Sequence, residues 1–182
     1  VLGIPKENFA IPDRRLVSRM FGRSLAAPLG VAAGPHTQLA QNIVASWLCG
    51  ARFIELKTVQ LLDEIAVSRP CIDAADETYN CEWSQELKLE QSFEEYLNAW
   101  VLVHALAHRL GLADPGTLFA MSVGYDLAGI KSARVQQFIS SMRDARHALP
   151  AAIDAVAKSY PAVRDLEIQR RENDLVVAPF GR

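Results

Sequence analysis

Two short stretches carry residues whose types and spacing suit chemistry. The first is the apolar run Ala51 to Val59, which ends in Lys57 and Thr58, one cation and one hydroxyl side by side. A long cation is costly to bury unless it is paired or points into a polar cleft. Lys57 therefore either snorkels at the rim of a sheet or serves a bound group. The second is Pro28 to Pro35, which ends in Ala32, Ala33 and Gly34. These residues put almost no side chain between the backbone and whatever lies above it.

A small-residue shelf beside a lysine and a threonine suits a flat, electron-rich ring such as flavin. The same small residues also serve tight packing of strand on helix, and Thr58 is also simply a favoured strand residue. Asn80 offers two donors and an acceptor, and by its place in the pattern it caps a helix or turn. Ser122 and Tyr125 close a third apolar run, and Ser122 is a candidate for lining a site there. His36 follows the shelf, and histidine is the residue type suited to proton exchange near neutral pH, although a lone loop histidine is more often incidental. His104, His108 and His147 fall in helical patterns, and no zinc-protease glutamate accompanies the first two. Cys49, Cys71 and Cys81 match neither a zinc nor an iron–sulfur spacing and read as reduced thiols, and Cys81 has no basic neighbour to activate it.

The elements that must position these residues are legible in the pattern. Each of the two stretches has strand length and is bounded by glycine or proline, and the dozen amphipathic residues between them predict a βαβ unit. Thr37 is expected to cap its helix, which carries Ile43, Val44, Trp47 and Leu48 and stops at Gly50. Before it, Arg15 to Pro28 reads as a hairpin around Phe21 to Ser24, preceded by an irregular lead-in. After it, residues 60–79 form a long irregular connection of the kind that folds over a site. A helix is predicted from about Ser84 to Leu110, then a strand from Leu118 to Val123. Val135 to Tyr160 reads as helix interrupted near Pro150. Val163 to Ile168 is a weak fourth strand, and Leu175 to Ala178 a further short one. In parallel sheets chemistry gathers at the carboxyl ends of strands, where the shelf and Lys57 both fall.

The strings PLGVAAGPHTQLAQN, GARFIELKTVQ, YNCEWSQEL and FAMSVGYDLAGI, between Pro28 and Ile130, resemble the FMN-binding barrel of dihydroorotate and dihydropyrimidine dehydrogenases. Within that group the likeness is to the large multidomain flavoproteins described as selenate reductase subunits, and it runs from about Leu2 to Ile168. The resemblance implies a flavin-dependent oxidoreductase that passes hydride or electrons through FMN. It implies FMN contacts from Ala32, Ala33, Gly34, Lys57 and Thr58, with Lys57 near the pyrimidine end of the ring, and substrate contacts from Asn80 and Ser122. It further implies a small, pyrimidine-like substrate and partner redox domains or subunits. Iron–sulfur clusters, FAD or NAD(P) would sit only in those other domains. The catalytic acid/base residue and the phosphate loops of such barrels come later in the fold than 182 residues reach.

Length and composition set the remaining bounds. A closed (β/α)₈ barrel needs roughly 250 residues, so the 182 present are expected to be the amino-terminal part of one: an α/β partial TIM barrel with about four parallel strands, crossover helices and an amino-terminal hairpin, in one domain over 1–182. The alternative is a non-catalytic half-barrel used as a scaffold or for subunit association. Nineteen basic and 21 acidic residues give a net charge of −2 without a basic stripe, which argues against nucleic acid as a partner. Half of the residues are hydrophobic, yet no run is long enough to span a bilayer. No targeting signal opens the chain, so a cytoplasmic protein without a membrane partner is expected.

Overall fold

Residues 1–59, 61, 87–123, 127–170 and 175–179 are described by a computed structural model, with 169–170 and 175–179 described as backbone. Phe21 and Gly22 both take positive φ, 50° and 77°, and turn the chain tightly enough for β1 (Ser18–Met20) to pair antiparallel with β2 (Arg23–Leu25). This is the hairpin expected from the sequence. It is followed by a parallel four-stranded sheet of β3 (Gly30–Val31), β4 (Phe53–Leu56), β5 (Leu118–Val123) and β6 (Leu175–Pro179), arranged in chain order. Strands β3 and β6 are its two edges, so among the described residues the sheet is open.

Strand alternation sends Val31, Ile54, Leu56, Phe119 and Met121 to one face. There they pack with α1 (Ala40–Leu48), α2 (Leu89–Arg109) and α4 (Ala133–Arg143) around buried Ile43, Trp47, Tyr96, Ala99, Val103 and Phe138. A second cluster joins α2 to α5 (Leu149–Ala157) through Val101, Ala105, Ile153, Val163 and Ile168. The short α3 (Leu127–Lys131) precedes α4. Phe53 and Glu55 lie on the opposite face by the same alternation, and the Phe21 ring from the hairpin tip stands 6.4 Å from that of Phe53.

Several expectations need correcting. Thr37 does not cap α1, because its hydroxyl is taken by Gly34: it accepts from Gly34 N at 3.1 Å and donates to Gly34 O at 3.0 Å, closing a 3-10 turn over Pro35–Thr37. The acceptor at the start of α1 comes from α2 instead, where Glu95 Oε2 takes the Ala40 N–H at 2.6 Å, an acid placed at a helix amino terminus. The expected interruption near Pro150 is present and gives two shorter helices, α4 and α5, but the break itself covers 144–148, and Pro150 lies in the first turn of α5, where its missing N–H costs nothing. Val163 to Ile168 is no strand but two 3-10 turns, Pro161–Asp165 and Glu167–Arg170. Proline starts the first turn, and the place beside β5 belongs to β6. The predicted stops at Gly50 and Gly111 hold, and both glycines have positive φ.

The amino ends of the strands are locked by one buried cation. Arg52, 2% exposed, donates from Nη1 to the carbonyls of Trp47 at 2.7 Å and Ala51 at 2.9 Å, and from Nη2 to Ala10 O at 3.1 Å. Its guanidinium lies 4.9 Å from the Trp47 ring centre. Burial pulls its pKa below the usual arginine value, and the carbonyl end of α1 supplies compensating negative potential. Arg52→Met is expected to lower folding stability by about 2 kcal/mol, since the Ala51 and Ala10 carbonyls each forfeit on the order of 1 kcal/mol, whereas Trp47 O keeps the Gly50 N–H at 3.0 Å. Urea denaturation measures it, and a loss well under ~1 kcal/mol would show that the clamp matters little.

Candidate functional site

Since β3 and β4 run parallel with Gly30 opposite Phe53 and Val31 opposite Ile54, the residues that follow them leave the sheet at the same end. Those residues are Ala32, Ala33 and Gly34 on one side and Lys57 and Thr58 on the other. The predicted shelf and the predicted cation are thus neighbours at the carboxyl edge. Ser122, near the carboxyl end of β5, joins them: the Thr58 hydroxyl donates to Ser122 O at 2.9 Å. Asn80 lies outside the described residues, as do Cys71, Cys81, Tyr125 and most of the 60–79 connection.

The shelf is more committed than its small side chains imply. Ala33 N–H donates to Glu55 Oε2 at 3.2 Å, Gly34 is bonded to Thr37 through both N–H and C=O, and Ala32 O meets His36 Nε2 at 3.0 Å. A Cβ on Gly34 would approach the His36 ring to 2.6 Å, so glycine is what allows that ring to fold back over its own loop. Ala32 and Ala33 remain exposed. The shelf therefore offers small apolar side chains with most of these polar backbone groups already paired, and it suits ring contact better than hydrogen bonding through those groups.

Glu55, which sequence reasoning passed over as one residue in a strand, stands at the centre of this edge. Its Oε2 accepts from Ala33 and its Oε1 accepts from the Ser122 hydroxyl at 2.8 Å, so it joins the ends of β3 and β5 across β4. The available signal was a single carboxylate between Ile54 and Leu56 in an otherwise apolar strand. Tyr96 was also missed, because its helical spacing marks it only as core. Its hydroxyl donates to Lys57 O at 2.8 Å, fixing the strand end from the helix layer. Lys57 Nζ donates to Thr58 O at 3.3 Å.

The other histidines lie elsewhere. His104 is on α2 with Nδ1 2.8 Å from Trp100 O, and His108 Nδ1 is 2.7 Å from the Tyr160 hydroxyl. His147, expected on a helix, sits in the turn between α4 and α5, stacked on Phe93 at 6.0 Å. Cys49 is a free, exposed thiol, and among the described residues no cluster of three or more metal-ligating side chains occurs. No helix of the described residues is long and apolar enough to cross a membrane.

Burial pushes the Tyr96 phenol far above its ordinary value of 10.0, and the charge of Glu95 adds to the effect. The folded chain therefore keeps this proton at alkaline pH values where the unfolded chain releases it. Tyr96 leaves stability unchanged below about pH 10 and lowers it above, by ~1.4 kcal/mol per pH unit. Urea melts between about pH 9 and 11 are expected to show that fall and a shallower one in Tyr96→Phe. Equal slopes would contradict it.

The comparisons with known proteins agree with this architecture. The family model described as "Oxidoreductase YgfK, N-terminal TIM-barrel domain" matches residues 2–172. Proteins named "Putative oxidoreductase YgfK" from Escherichia coli (strain K12) and Escherichia coli O157:H7 are each 52% identical over 147 residues, which is 80% of this chain. The chain spans 14% of the length of each of these relatives. Its parallel strands lie side by side in chain order with helices on one face and small residues at the carboxyl edge, and it belongs to the family of the YgfK oxidoreductase amino-terminal TIM-barrel domain.

Proposed function

We propose that this chain supplies the first strands of an FMN-binding barrel in a flavin-dependent oxidoreductase. One observation carries the reading: a small-residue shelf, Ala32 to Gly34, and a cation, Lys57, follow the carboxyl ends of adjacent parallel strands in a member of an oxidoreductase barrel family. Bound there, FMN would supply hydride or electron transfer, which no side chain of the chain performs alone. The residues present fit such a ring. Ala32 and Ala33 give clearance and apolar contact, Lys57 gives positive charge, and the Thr58 hydroxyl retains acceptor capacity after donating to Ser122 O. Ser122 and Asn80 are the substrate-side candidates, and a pyrimidine-like ring matches the hydrogen-bonding capacity of Asn80. Phosphate binding needs a helix terminus or glycine-rich loop, which this reading assigns to later units of the barrel, as it assigns other redox groups to other domains.

Lys57 is the residue on which the reading turns, because a positive charge beside the ring favours its reduced, anionic form. In the product of the intact gene, Lys57→Met is expected to weaken binding of reduced relative to oxidised FMN about tenfold, the ~1.4 kcal/mol of one partly screened charge contact. Met nearly matches the lysine stem in volume, so folding is preserved. Midpoint potentials of the two proteins decide the matter, and equal potentials would refute the role.

A second reading, a non-catalytic scaffold, draws on one observation. Exposed apolar side chains concentrate in the lead-in and hairpin, at Val1, Leu2, Ile11, Leu16, Val17 and Phe21, and such a surface suits burial against further protein. An intact-gene product that purifies without flavin and binds none in an FMN titration would favour this reading over the first.

A further inference from the structure

Resting on the flavin reading above, we infer that Glu55 is a positioning residue that sets both the shape and the electrical potential of the cofactor seat. The argument starts from the pleat. Glu55 lies on the face of the sheet away from the helices, with Phe53, and Lys57 follows directly after the last residue of β4. Both carboxylate oxygens act as acceptors, one for the Ala33 N–H and one for the Ser122 hydroxyl. That is the bonding pattern of an ionised carboxylate.

Two consequences follow. Ala33 is the middle residue of the shelf, and Glu55 is the partner of its N–H, so the height of the shelf above β4 is fixed by this side chain. Ser122 is turned toward β4 by the same group, and its position is further tied by the Thr58 hydroxyl on its carbonyl. Glu55 also places a negative charge at the edge where Lys57 places a positive one. A carboxylate on that side opposes formation of an anionic reduced ring, as Lys57 promotes it. The seat thus carries a pair of opposed charges, and the potential of a ring held there reflects their balance.

Two substitutions in the intact-gene product separate geometry from charge. Glu55→Gln keeps the side chain's shape: its oxygen can accept from Ala33 and its amide can donate to the Ser122 oxygen, while the charge is lost. It is expected to bind oxidised FMN nearly as well as the unsubstituted protein. It should favour reduced FMN about threefold more, the sign opposite to Lys57→Met. Glu55→Ala removes the partner of Ala33 and is expected to weaken oxidised FMN binding about tenfold. FMN titration followed by fluorescence and an anaerobic redox titration against a reference dye give both quantities, and thermal melts report folding. Absence of FMN binding in the unsubstituted protein overturns the flavin reading and this role with it. FMN binding with affinity unchanged in Glu55→Ala, or with potential unchanged in Glu55→Gln, leaves the flavin reading standing and overturns the role of Glu55.

Discussion

Three parallel strands end beside one another in this protein, and a single carboxylate holds their ends together. Parallel strands need such a tie more than antiparallel ones, because no hairpin joins neighbours and each strand leaves the sheet toward a separate crossover. Glu55 provides it from the middle strand, reaching Ala33 after β3 and Ser122 near the end of β5. A hydrogen bond to a charged acceptor is worth roughly twice a neutral one, and here two of them converge on one group. The position of the Ala32 to Gly34 segment is thus set from β4 as much as from β3.

The opposite end of the sheet is organised by a charge of the other sign. Arg52 enters β4 from a buried position and gathers carbonyls from the end of α1 and from the lead-in. Its own carbonyl accepts from both Leu118 N at 2.9 Å and Thr117 Oγ1 at 3.0 Å, which sets the start of β5. Trp47 Nε1 donates to Pro115 O at 3.1 Å. At Gly116, where φ is +62°, a Cβ would come within 2.5 Å of that of Ala26, so the chain leaving the hairpin can press against the amino end of β5. A rigid base of this kind lets the opposite edge be built from small, exposed residues.

Between the two ends the helix layer fixes details that the strands do not. Tyr96 and Glu95 are adjacent on α2 and point to different tasks, one donating to the carbonyl of Lys57 and the other accepting from the first turn of α1. The same helix therefore positions both the cation-bearing strand end and the helix that follows the shelf. Tyr96 is 2% exposed, and a buried hydroxyl finds a partner or costs stability, which makes the Lys57 carbonyl its structural anchor.

The sequence by itself determined the elements whose signals are local. The hairpin around Phe21 and Gly22, the first βαβ unit, the stops at Gly50 and Gly111, and the placing of the shelf and Lys57 at neighbouring strand ends all follow from glycine's backbone freedom and the strand and helix periods. Pattern alone does not separate strand β6 from the run Val163 to Ile168, because a short apolar run takes its identity from the neighbour it pairs with. Tertiary structure alone decided the partners. Thr37 looked like a helix cap until Gly34 claimed its hydroxyl, and the acid at the start of α1 came from Glu95, 55 residues away. Glu55 and Tyr96 carry no sequence signal of their roles, since nothing in their spacing shows that one reaches Ala33 and Ser122 and the other Lys57. Period and propensity report which face a side chain occupies, whereas a hydrogen bond across elements depends on how those faces are brought together.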